Sequence, residues 1–559
     1  MTPARTPLPI DPVLPEIVEA AREHRGLVLV APPGAGKTTR VPVAIVEAGL
    51  LTTEHPALVM LQPRRVAARA SARRIAEENG WRMGEEVGYH IRFERRVGPR
   101  TRIRVATEGI LLRQLIADPF LEGVGAVVLD EFHERSIHTD LALALLREIK
   151  ETVRDDLLLI VMSATMDAEP VAEFLRGCPV IRSEGRAYPV EITYRPTAGA
   201  GSPVAIVGAV QEALSTPGDV LVFLPGGDEI RRVGAMVEPL ARREDLLVLP
   251  LHGALSGEDQ DRALRPSGRR KVILATNLAE TSLTIDGVRT VIDSGLARSA
   301  SYDPRRGLDR LELGPISRAS AAQRAGRAGR TGPGRCLRLW SEGEQRGREE
   351  ADVPEIRRVD LCAAVLALHA WGVTDPRRFD WYEAPRARVD SAERLLRMLG
   401  ALDVASGRIT PRGRQLNELP VHPGSGGCSS RPRERARRTE GPRWPPCSPR
   451  RTSCATVPLT TRTPPRSRSR GALGPAGALI SWTRRSGIDA ARIRDRGIDP
   501  VRARRVARLR DELAGSPDGS GLPPRRALAG RTKTRSCAGS CWPTPIASPD
   551  AVPTGGASA

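Results

Sequence analysis

Short apolar runs rich in Val, Leu and Ile recur along residues 26–340, and segments with helical periodicity separate them. Consecutive apolar positions of this kind are typical of parallel strands that are buried on both faces of a sheet. The pattern therefore predicts an α/β fold with two tandem doubly wound parallel-sheet domains, joined near residues 183–190. The predicted strands are Leu27–Ala31, Ala57–Leu61, Ile103–Ala106, Val124–Asp130 and Leu157–Met162 in the first domain, and Val220–Leu224, Leu246–Leu251, Lys271–Ala275, Val288–Ile292 and Cys336–Leu339 in the second.

A third region begins near residue 354, where the pattern becomes helical. Apolar positions recur at helical spacing in Val359–Leu368 and Ala392–Leu399. Gly407–Thr410 then indicates a turn followed by a short strand. We therefore expect residues 354–423 to form a small helical domain with a hairpin.

Residues 424–559 differ from the rest of the chain in composition and in charge. They are rich in Arg, Pro, Ser and Gly, and only Gly487–Leu513 keeps a helical, charged pattern. About +18 of the formal net charge of +20 lies in this segment, which leaves about +2 for residues 1–423. Such a composition cannot bury a core, so we expect a largely disordered basic tail. Nucleic-acid binding by the preceding residues must then depend on a local groove.

The sequence also argues against several kinds of site and location. No stretch approaches 18 consecutive apolar residues, and the first residues lack the charged and apolar regions of a signal peptide. We therefore expect a cytoplasmic protein that does not span a membrane. The cysteines include no C-x-x-C pair, so neither a disulfide framework nor a structural metal site is expected.

A glycine-rich loop, Ala31–Thr39, lies between the first predicted strand and a predicted helix. It matches the phosphate-binding pattern G-x-x-x-x-G-K-[ST], except that Ala31 occupies the first position. The glycines allow backbone N–H groups to approach phosphates, Lys37 would bridge the β- and γ-phosphates, and Thr38 would ligate Mg²⁺. The alternative is an ordinary glycine-rich turn, which the strand–loop–helix context disfavours. The predicted ATP-binding residues of the loop are Gly34, Ala35, Gly36, Lys37, Thr38 and Thr39.

Two acidic residues, Asp130 and Glu131, follow an apolar strand, where side chains emerge at the carboxyl edge of a parallel sheet. Beside a phosphate loop, Asp130 is predicted to hold Mg²⁺ through water, and Glu131 to orient or deprotonate the attacking water. Without that loop the pair would indicate a solvated acidic turn. His133 has only His138 nearby as a second metal ligand, so we expect a hydrogen bond to the other domain instead.

Arginines recur at every third position towards the end of Gln323–Arg330, which predicts three guanidinium groups on one face of a helix. Arg327 and Arg330 are candidates for neutralising charge on a transferring γ-phosphoryl group, and Gln323 for positioning the water. The alternative is a basic helix face. The intervening glycines argue against it, because each weakens a helix by about 1 kcal/mol relative to Ala and requires a reason such as close approach to the facing domain.

Six segments, in this order, resemble the DEAH/RHA-type superfamily 2 helicases. The Phe132 variant of the fourth segment, with Leu8–Ile10 and Val13–Pro15, is similar to the bacterial HrpB branch of that family. The resemblance covers about residues 8–423. The six segments are Gln62–Ala67, Gly88–Glu94, Thr107–Gly109, Asp130–His133, Thr276–Gly287 and Gln323–Arg330.

The resemblance implies an ATP-dependent RNA helicase or translocase, which is a hydrolase that uses ATP and Mg²⁺. RecA-like lobes at residues 8–183 and 184–353 would close on ATP and step along single-stranded RNA, or DNA, from 3′ to 5′. Residues 354–423 would form a winged-helix domain, and we expect a monomer. Residues 252–275 lack the aromatic that relatives often stack on the base, so base selectivity is not predicted.

The resemblance also assigns roles to further residues. Ser163 and Thr165 would couple hydrolysis to lobe movement, and residues 297–313 would form a hairpin that separates strands. Arg74 and Asp286 would lie at the nucleotide. The residues that would contact the backbone of the nucleic acid are Arg64, Arg65, Thr107 and Thr276.

The chain departs from this family at Gly424–Arg433, where an amphipathic helix is expected. A shifted reading frame reads the last base of each codon with the first two bases of the next codon. In that frame, codons that encode these residues can also encode Arg-Leu-Gly-Arg-Met-Leu-Leu-Ala-Ala-Arg. The same shift at Cys541–Ser548 permits Leu-Ala-Tyr-Pro-Asp-Arg-Val-Ala, which is similar to the C-terminal region of the HrpB branch. The alternative is a genuine basic tail that binds nucleic acid non-specifically. Its several Cys and Trp residues are unusual for a solvated tail.

Our hypothesis is that residues 424–485 and about 516–559 are translated out of frame, whereas Gly487–Leu513 is in frame. Resequencing the gene across codon 423 is expected to show a change of reading frame there. An intact frame, with relatives that share the tail, would contradict the hypothesis.

Two other functions are compatible with parts of the pattern. A signalling or transport P-loop ATPase shares the phosphate loop, but an arginine run on a second domain of the same chain disfavours it. The other is a nucleic-acid-binding remnant that does not unwind, because the helical bundle that follows residue 423 in the family is missing or scrambled in this sequence.

Overall fold

The structure is a computed structural model that describes residues 7–164, 167–185, 188–196, 201–281, 285–303, 308–419 and 422–423. Within these ranges two parallel sheets, each with helices on both faces, are followed by a small helical domain. The predicted α/β fold with two tandem doubly wound sheets is confirmed. Among the described helices, none combines the length and hydrophobicity that a membrane crossing requires.

Within its described residues the first domain contains an eight-stranded sheet. Its strands are β1 (Gly26–Val30), β2 (Ala57–Gln62), β3 (Val87–Ile91), β4 (Glu94–Arg96), β5 (Ile103–Thr107), β6 (Val124–Leu129), β7 (Leu158–Ser163) and β8 (Val180–Arg182), and its helices are α1 (Leu14–His24), α2 (Lys37–Glu47), α3 (Arg65–Asn79), α4 (Glu108–Ala117), α5 (Ile137–Thr152) and α6 (Glu169–Phe174). The strand order is β4-β3-β5-β2-β6-β7-β1-β8. Strands β2, β6 and β7 are buried at every position, which explains their uninterrupted apolar runs.

The second domain contains a six-stranded parallel sheet and a separate hairpin within its described residues. Its strands are β9 (Val190–Tyr194), β10 (Asp219–Phe223), β11 (Leu247–Leu251), β12 (Lys271–Ala275), β13 (Val288–Asp293), β14 (Leu296–Asp303), β15 (Leu308–Pro315) and β16 (Gly334–Arg338), and its helices are α7 (Pro203–Ala213), α8 (Gly227–Arg243), α9 (Gly257–Leu264), α10 (Arg318–Gly326) and α11 (Glu342–Arg346). The strand order is β11-β12-β10-β13-β16-β9. The predicted boundary between the two domains falls between β8 and β9.

Strands β14 and β15 form the antiparallel hairpin in the region where residues 297–313 are predicted to separate strands. Their register pairs Leu296 with Pro315 and Asp303 with Leu308. Residues 304–307 lie outside the described ranges. The hairpin therefore exists as a structural element, and its role in strand separation stays a prediction.

The third domain consists of α12 (Cys362–Ala370), α13 (Arg386–Met398) and α14 (Pro411–Glu418). The predicted short strand is reduced to a single bridge between Leu402 and Ile409. The core of this domain is continuous with that of the first domain, and Trp371 Nε1 donates to Glu148 Oε2 on α5 at 3.2 Å. The third domain is thus docked on α5 of the first. The predicted tail, residues 424–559, lies outside the described ranges.

Candidate active site

The predicted phosphate loop connects β1 to α2, which begins at Lys37. Gly34 and Gly36 have φ angles of +87° and +98°, in the left-handed region that glycine adopts without strain. A Cβ atom on Gly36 would also lie 2.7 Å from Leu8 Cδ1. The N-terminus of α2, where backbone N–H groups carry partial positive charge, borders this loop, which makes it a suitable anion site.

Other residues of the loop hold its shape. The carbonyl of Ala35 accepts a hydrogen bond from Ile10 N at 3.0 Å, which ties the loop to the segment before α1. Thr39 Oγ1 donates to the carbonyl of Gly36 at 3.4 Å. In this state the Thr39 side chain therefore contacts its own backbone.

The acidic pair lies beside the loop because β6 and β1 flank β7 in the sheet. Thr38 Oγ1 and Gln62 Nε2 both donate to Asp130 Oδ2, at 2.6 Å and 2.5 Å. Lys37 Nζ donates to Glu131 Oε1 at 3.3 Å, and both side chains are almost fully buried. The structure thus brings together the loop residues and both carboxylates that the sequence singled out.

The environments of the two carboxyl groups differ. Burial, reinforced by the Glu131 carboxylate, raises the pKa of Asp130. Burial also acts to raise the pKa of Glu131, but the nearby charge of Lys37, with His133 and Arg327, outweighs it and holds this pKa well below its usual range. Of the two carboxyl groups, Glu131 therefore has the lower pKa and keeps its negative charge to lower pH than Asp130 does.

The donor set at this edge of the sheet suits Mg²⁺. Thr38 and Asp130 present a hydroxyl and a carboxylate oxygen, the ligand types that this hard cation prefers. A cation would also neutralise a carboxyl group whose ionised form is disfavoured by burial and by Glu131. The residues therefore fit the expected metal ion.

His133 corrects one expectation. Its Nδ1 accepts from Ala164 N at 3.3 Å, and its Nε2 lies 3.4 Å from Glu131 Oε2. Both partners belong to the first domain, so the expected bond to the other domain is wrong. The reason is that residues 132–134 form a 3₁₀ turn that folds back onto the end of β7.

The end of β7 also contacts the phosphate loop. The carbonyl of Ser163 accepts from Ala31 N at 3.0 Å, and the Ser163 side chain is fully buried. His133 and Ser163 therefore connect Glu131 to the loop through the same strand end. Thr165, the other predicted coupling residue, lies outside the described residues.

The arginine run corrects a second expectation. Helix α10 ends at Gly326, so the three guanidinium groups do not share one helix face. Arg324 pairs within its own domain, with Glu280 Oε2 and Asp293 Oδ1, each at 2.9 Å. Gln323, half-buried, lies beside it on the last turn of the helix.

One glycine of this run, Gly329, allows a close approach within the second domain rather than to the facing one. A Cβ atom on Gly329 would lie 2.5 Å from the carbonyl oxygen of Tyr188. The backbone N–H of Tyr188 also donates to the carbonyl of Gly329 at 3.0 Å. The expected approach to the facing domain is therefore wrong. A strand-like contact with the segment before β9 requires glycine here.

Arg327 and Arg330 lie where the second domain faces the acidic pair. Arg327 Nε donates to the carbonyl of Glu280 at 2.9 Å. Burial lowers the pKa of both arginines, that of Arg330 to about 10, and the charge of Glu131 opposes the shift in each. The negative charge of a carboxylate in the first domain thus favours the charged form of both arginines in the second domain.

Asp286 and Arg74 also face each other across the domains. Arg74 Nε donates to Glu78 Oε1 at 2.5 Å, and this hydrogen bond is the main cause of its raised pKa. The charge of Asp286 acts in the same direction on Arg74, and it also acts on Arg330. Asp286 therefore lies close enough to Arg74 of the first domain and to Arg330 of the second for its charge to favour a higher pKa of each.

The residues predicted to contact nucleic acid fall into two groups. Arg64 donates to Glu134 Oε2 at 3.2–3.3 Å and to the carbonyl of Asn277 in the second domain. Thr276 precedes a 3₁₀ turn at Asn277–Ala279, and its Oγ1 accepts from Leu278 N at 3.4 Å. Both therefore lie at the junction of the two domains.

Arg65 and Thr107 lie on a different surface. They line a groove of about 850 Å³ between the first domain, the hairpin and the third domain. Arg65 Nη2 also donates to the carbonyl of Gly253 at 3.3 Å, across the domain junction. The groove is therefore lined by residues of all three domains.

The sequence did not assign several polar residues that complete the site. Gln62 binds Asp130, and Glu134 accepts from both Arg64 and Thr281. Glu280 and Asp293 hold Arg324. Gln62 and Asp293 are polar residues that each end a buried apolar strand. Asp130 was predicted from its position directly after such a strand, and the same criterion would also have identified Gln62 and Asp293.

Comparison with protein families gives three matches. The family model of the DEAD/DEAH box helicases matches residues 12–174, and that of the helicase conserved C-terminal domain matches residues 205–332. The model of the helicase associated domain (HA2), winged-helix, matches residues 392–421. The three matches follow the order of the three structural domains.

Similar proteins carry related names. The chain is 44% identical over 423 residues to the ATP-dependent RNA helicase HrpB of Escherichia coli, an alignment that covers 74% of the chain and 51% of that protein. It is 42% identical over 439 residues to the pre-mRNA-splicing factor ATP-dependent RNA helicase prp22 of Schizosaccharomyces pombe, covering 76% and 37%. The chain therefore spans about half, or less, of the length of these relatives.

Solved structures give the same picture. A crystal structure of the Escherichia coli DEAH/RHA helicase HrpB matches with a TM-score of 0.69 at 44% identity, over 75% of this chain and 54% of the other. A crystal structure of the Escherichia coli DExH-box NTPase HrpB matches with a TM-score of 0.66 at 43% identity, over 76% and 52%.

Proposed function

The chain belongs to the DEAH/RHA-type helicases, with HrpB-type relatives, and we propose that it hydrolyses ATP between its two lobes to move along single-stranded RNA. One observation carries the proposal. The buried carboxylate of Glu131 in the first lobe is close enough to Arg327 and Arg330 in the second lobe for its negative charge to favour a higher pKa of both arginines. A γ-phosphate bound between them would meet both sets of groups, so neither lobe alone holds a complete site.

In the proposed reaction the loop of Gly34–Thr39 binds the phosphates through its backbone N–H groups and Lys37. Lys37 pairs with Glu131, and a contact between Lys37 and the phosphates would compete with this pair and leave the Glu131 carboxylate to act on the attacking water. Thr38 and Asp130 would hold Mg²⁺, which neutralises phosphate charge when bound. Arg327 and Arg330 would stabilise the transferring group, with Gln323 positioning water and Arg74 and Asp286 bordering the nucleotide.

The contacts around Glu131 suggest how hydrolysis would move the lobes. Glu134 lies three residues further along and accepts from Thr281 of the second lobe as well as from Arg64. His133 and Ser163 link the same turn to the phosphate loop, and Thr165 follows them in the chain. Loss of the γ-phosphate would therefore disturb the hydrogen bonds that join the lobes.

We assign RNA as the strand because the relatives are named as RNA helicases. Arg65 and Thr107 would bind its backbone from the groove, and Arg64 and Thr276 from the lobe junction. Contacts of this kind read no base sequence and weaken as salt is added. DNA remains a second candidate strand for the same groove.

The proposal predicts ATP hydrolysis that an RNA strand stimulates. With the full chain, phosphate release is expected to rise severalfold on addition of single-stranded RNA, and to fall when salt is raised from about 50 to about 200 mM. Lys37→Ala is expected to abolish both the basal and the stimulated rates, because the phosphates lose their cation. Hydrolysis that persists in Lys37→Ala would refute the assigned site. Hydrolysis indifferent to RNA and DNA would instead favour a P-loop ATPase of another class.

Hydrolysis without unwinding is a second candidate function. It is favoured by the sequence of residues 424–433, which departs from the helical pattern expected of the family after residue 423. Displacement of a labelled strand from a duplex with a 3′ single-stranded extension, measured on the full chain beside its ATPase rate, separates the two. Strand displacement supports a helicase, and RNA-stimulated hydrolysis without displacement supports the second candidate.

A further inference from the structure

The residue that follows Glu131 packs against the third domain. Phe132 is fully buried, and its ring meets the ring of Tyr382 edge-on with centroids 5.6 Å apart. Tyr382 lies in the segment between α12 and α13, 250 residues away in the sequence. A side chain of the third domain therefore reaches the immediate neighbour of the proposed catalytic carboxylate.

Further contacts surround this ring pair. The Tyr382 ring also meets Phe174 edge-on at 5.2 Å. The Arg135 guanidinium lies 4.6 Å from the centroid of Tyr382 and 6.0 Å from that of Phe132. Arg135 is itself held by Asp140 of the first domain and by Glu383, next to Tyr382, each at 3.0 Å. The rings and the ion pairs together bind the turn to the third domain.

The turn has a backbone that needs such support. Glu131 and Arg135 have φ angles of +54° and +47°, so left-handed residues stand at both ends of the 3₁₀ turn at Phe132–Glu134. Residues other than glycine adopt this region at an energetic disadvantage, and they keep it when surrounding contacts determine it. In this turn, Phe132 is the residue whose side chain is buried in the hydrophobic core that the first and third domains share.

We propose that Tyr382 is a positioning residue for Glu131: by packing on Phe132, the third domain holds the catalytic carboxylate in its left-handed conformation. The inference rests on the proposed function, since it concerns the same hydrolysis. It assigns to the third domain a part in the chemical step, in addition to its place beside the groove. Ordinary core packing is the competing explanation, and it predicts a loss of stability alone.

The experiment compares two matched variants of the full chain. Tyr382→Leu removes the ring that contacts Phe132, whereas Phe379→Leu removes a ring of the same domain that packs edge-on against Trp381. Both are expected to lower the midpoint of thermal unfolding by a few degrees. Tyr382→Leu alone is expected to lower kcat for ATP hydrolysis by about 10-fold or more at an unchanged KM for ATP, because a small displacement of a catalytic group is costly. Tyr382→Phe is expected to restore kcat.

A double variant tests whether the two rings act as one unit. The kcat of Phe132→Leu/Tyr382→Leu is expected to equal that of Phe132→Leu alone. Equal kcat values for Tyr382→Leu and Phe379→Leu, or a loss confined to stability or to KM, would overturn the inference while leaving the proposed function intact. A wild-type chain that hydrolyses no ATP would overturn the proposed function itself, and the inference with it.

Discussion

Replacing Glu131 with Gln is expected to lower kcat for RNA-stimulated ATP hydrolysis by about 10³, within the range that a positioned general base contributes. The amide keeps the size and the hydrogen-bonding acceptor of the side chain, but it has no charge with which to activate water. Because Lys37 rather than Glu131 is proposed to bind the phosphates, the KM for ATP is expected to change little. Phosphate release measured over a range of ATP concentrations checks both expectations.

Two controls make this result specific. Glu131 is paired with the buried Lys37, so the unfolding midpoint of Glu131→Gln must be measured beside its activity. Glu122→Gln changes an exposed carboxylate of the same domain and is expected to leave kcat unchanged. A kcat within threefold of wild type in folded Glu131→Gln would exclude this residue as the group that activates water.

Replacing Arg327 with Ala is expected to reduce kcat by about 10³ or more, the effect of removing an arginine that stabilises a transferring phosphoryl group. Arg327→Lys is expected to recover only a small part of this loss, because a lysine cannot present the planar fork of a guanidinium. The KM for ATP is expected to change less than kcat. Single-turnover hydrolysis, which reports the chemical step, is the measurement that checks these expectations.

Arg318→Ala is the matched control, since Arg318 is the first residue of α10, the helix that ends just before Arg327, and its side chain is half-exposed. Arg327 also donates to the carbonyl of Glu280, so a loss of folding is monitored by thermal unfolding of every variant. If Arg327→Ala and Arg318→Ala hydrolyse ATP at similar rates, the arginine does not act on the phosphate. The proposed composite site would then lose the contribution of Arg327, and the second lobe would act through Arg330 and Gln323.

The sequence predicted the strands that carry continuous apolar runs, including the edge strand β11, and missed four other strands at or next to the sheet edges. The ten strands predicted from apolar runs are present with ends shifted by no more than two residues. It did not predict β3, β4, β8 or β9. Strand β4 (Glu94–Arg96) pairs only with β3 at the sheet edge and has no buried position among its described residues. Edge strands that face water carry no apolar run, so periodicity does not detect them.

The errors in the site have a common cause. A three-residue spacing predicts neighbouring arginines only while the helix continues. Helix α10 ends at Gly326, and Gly329 then packs against the segment before β9. The partner of His133 depends on how a turn folds onto β7. In both cases local spacing was correct, and a contact distant in sequence decided the geometry.

The sequence by itself determined the phosphate loop, the acidic pair and the presence of arginines on a second domain, because each depends on residue types at short spacings after a buried strand. Only the tertiary structure decided how these parts meet. Strand order brings Thr38 to Asp130, and the docking of the third domain brings Tyr382 to Phe132. The physical reason is that main-chain preferences and hydrophobic periodicity are local, whereas packing between domains depends on the shapes of whole surfaces.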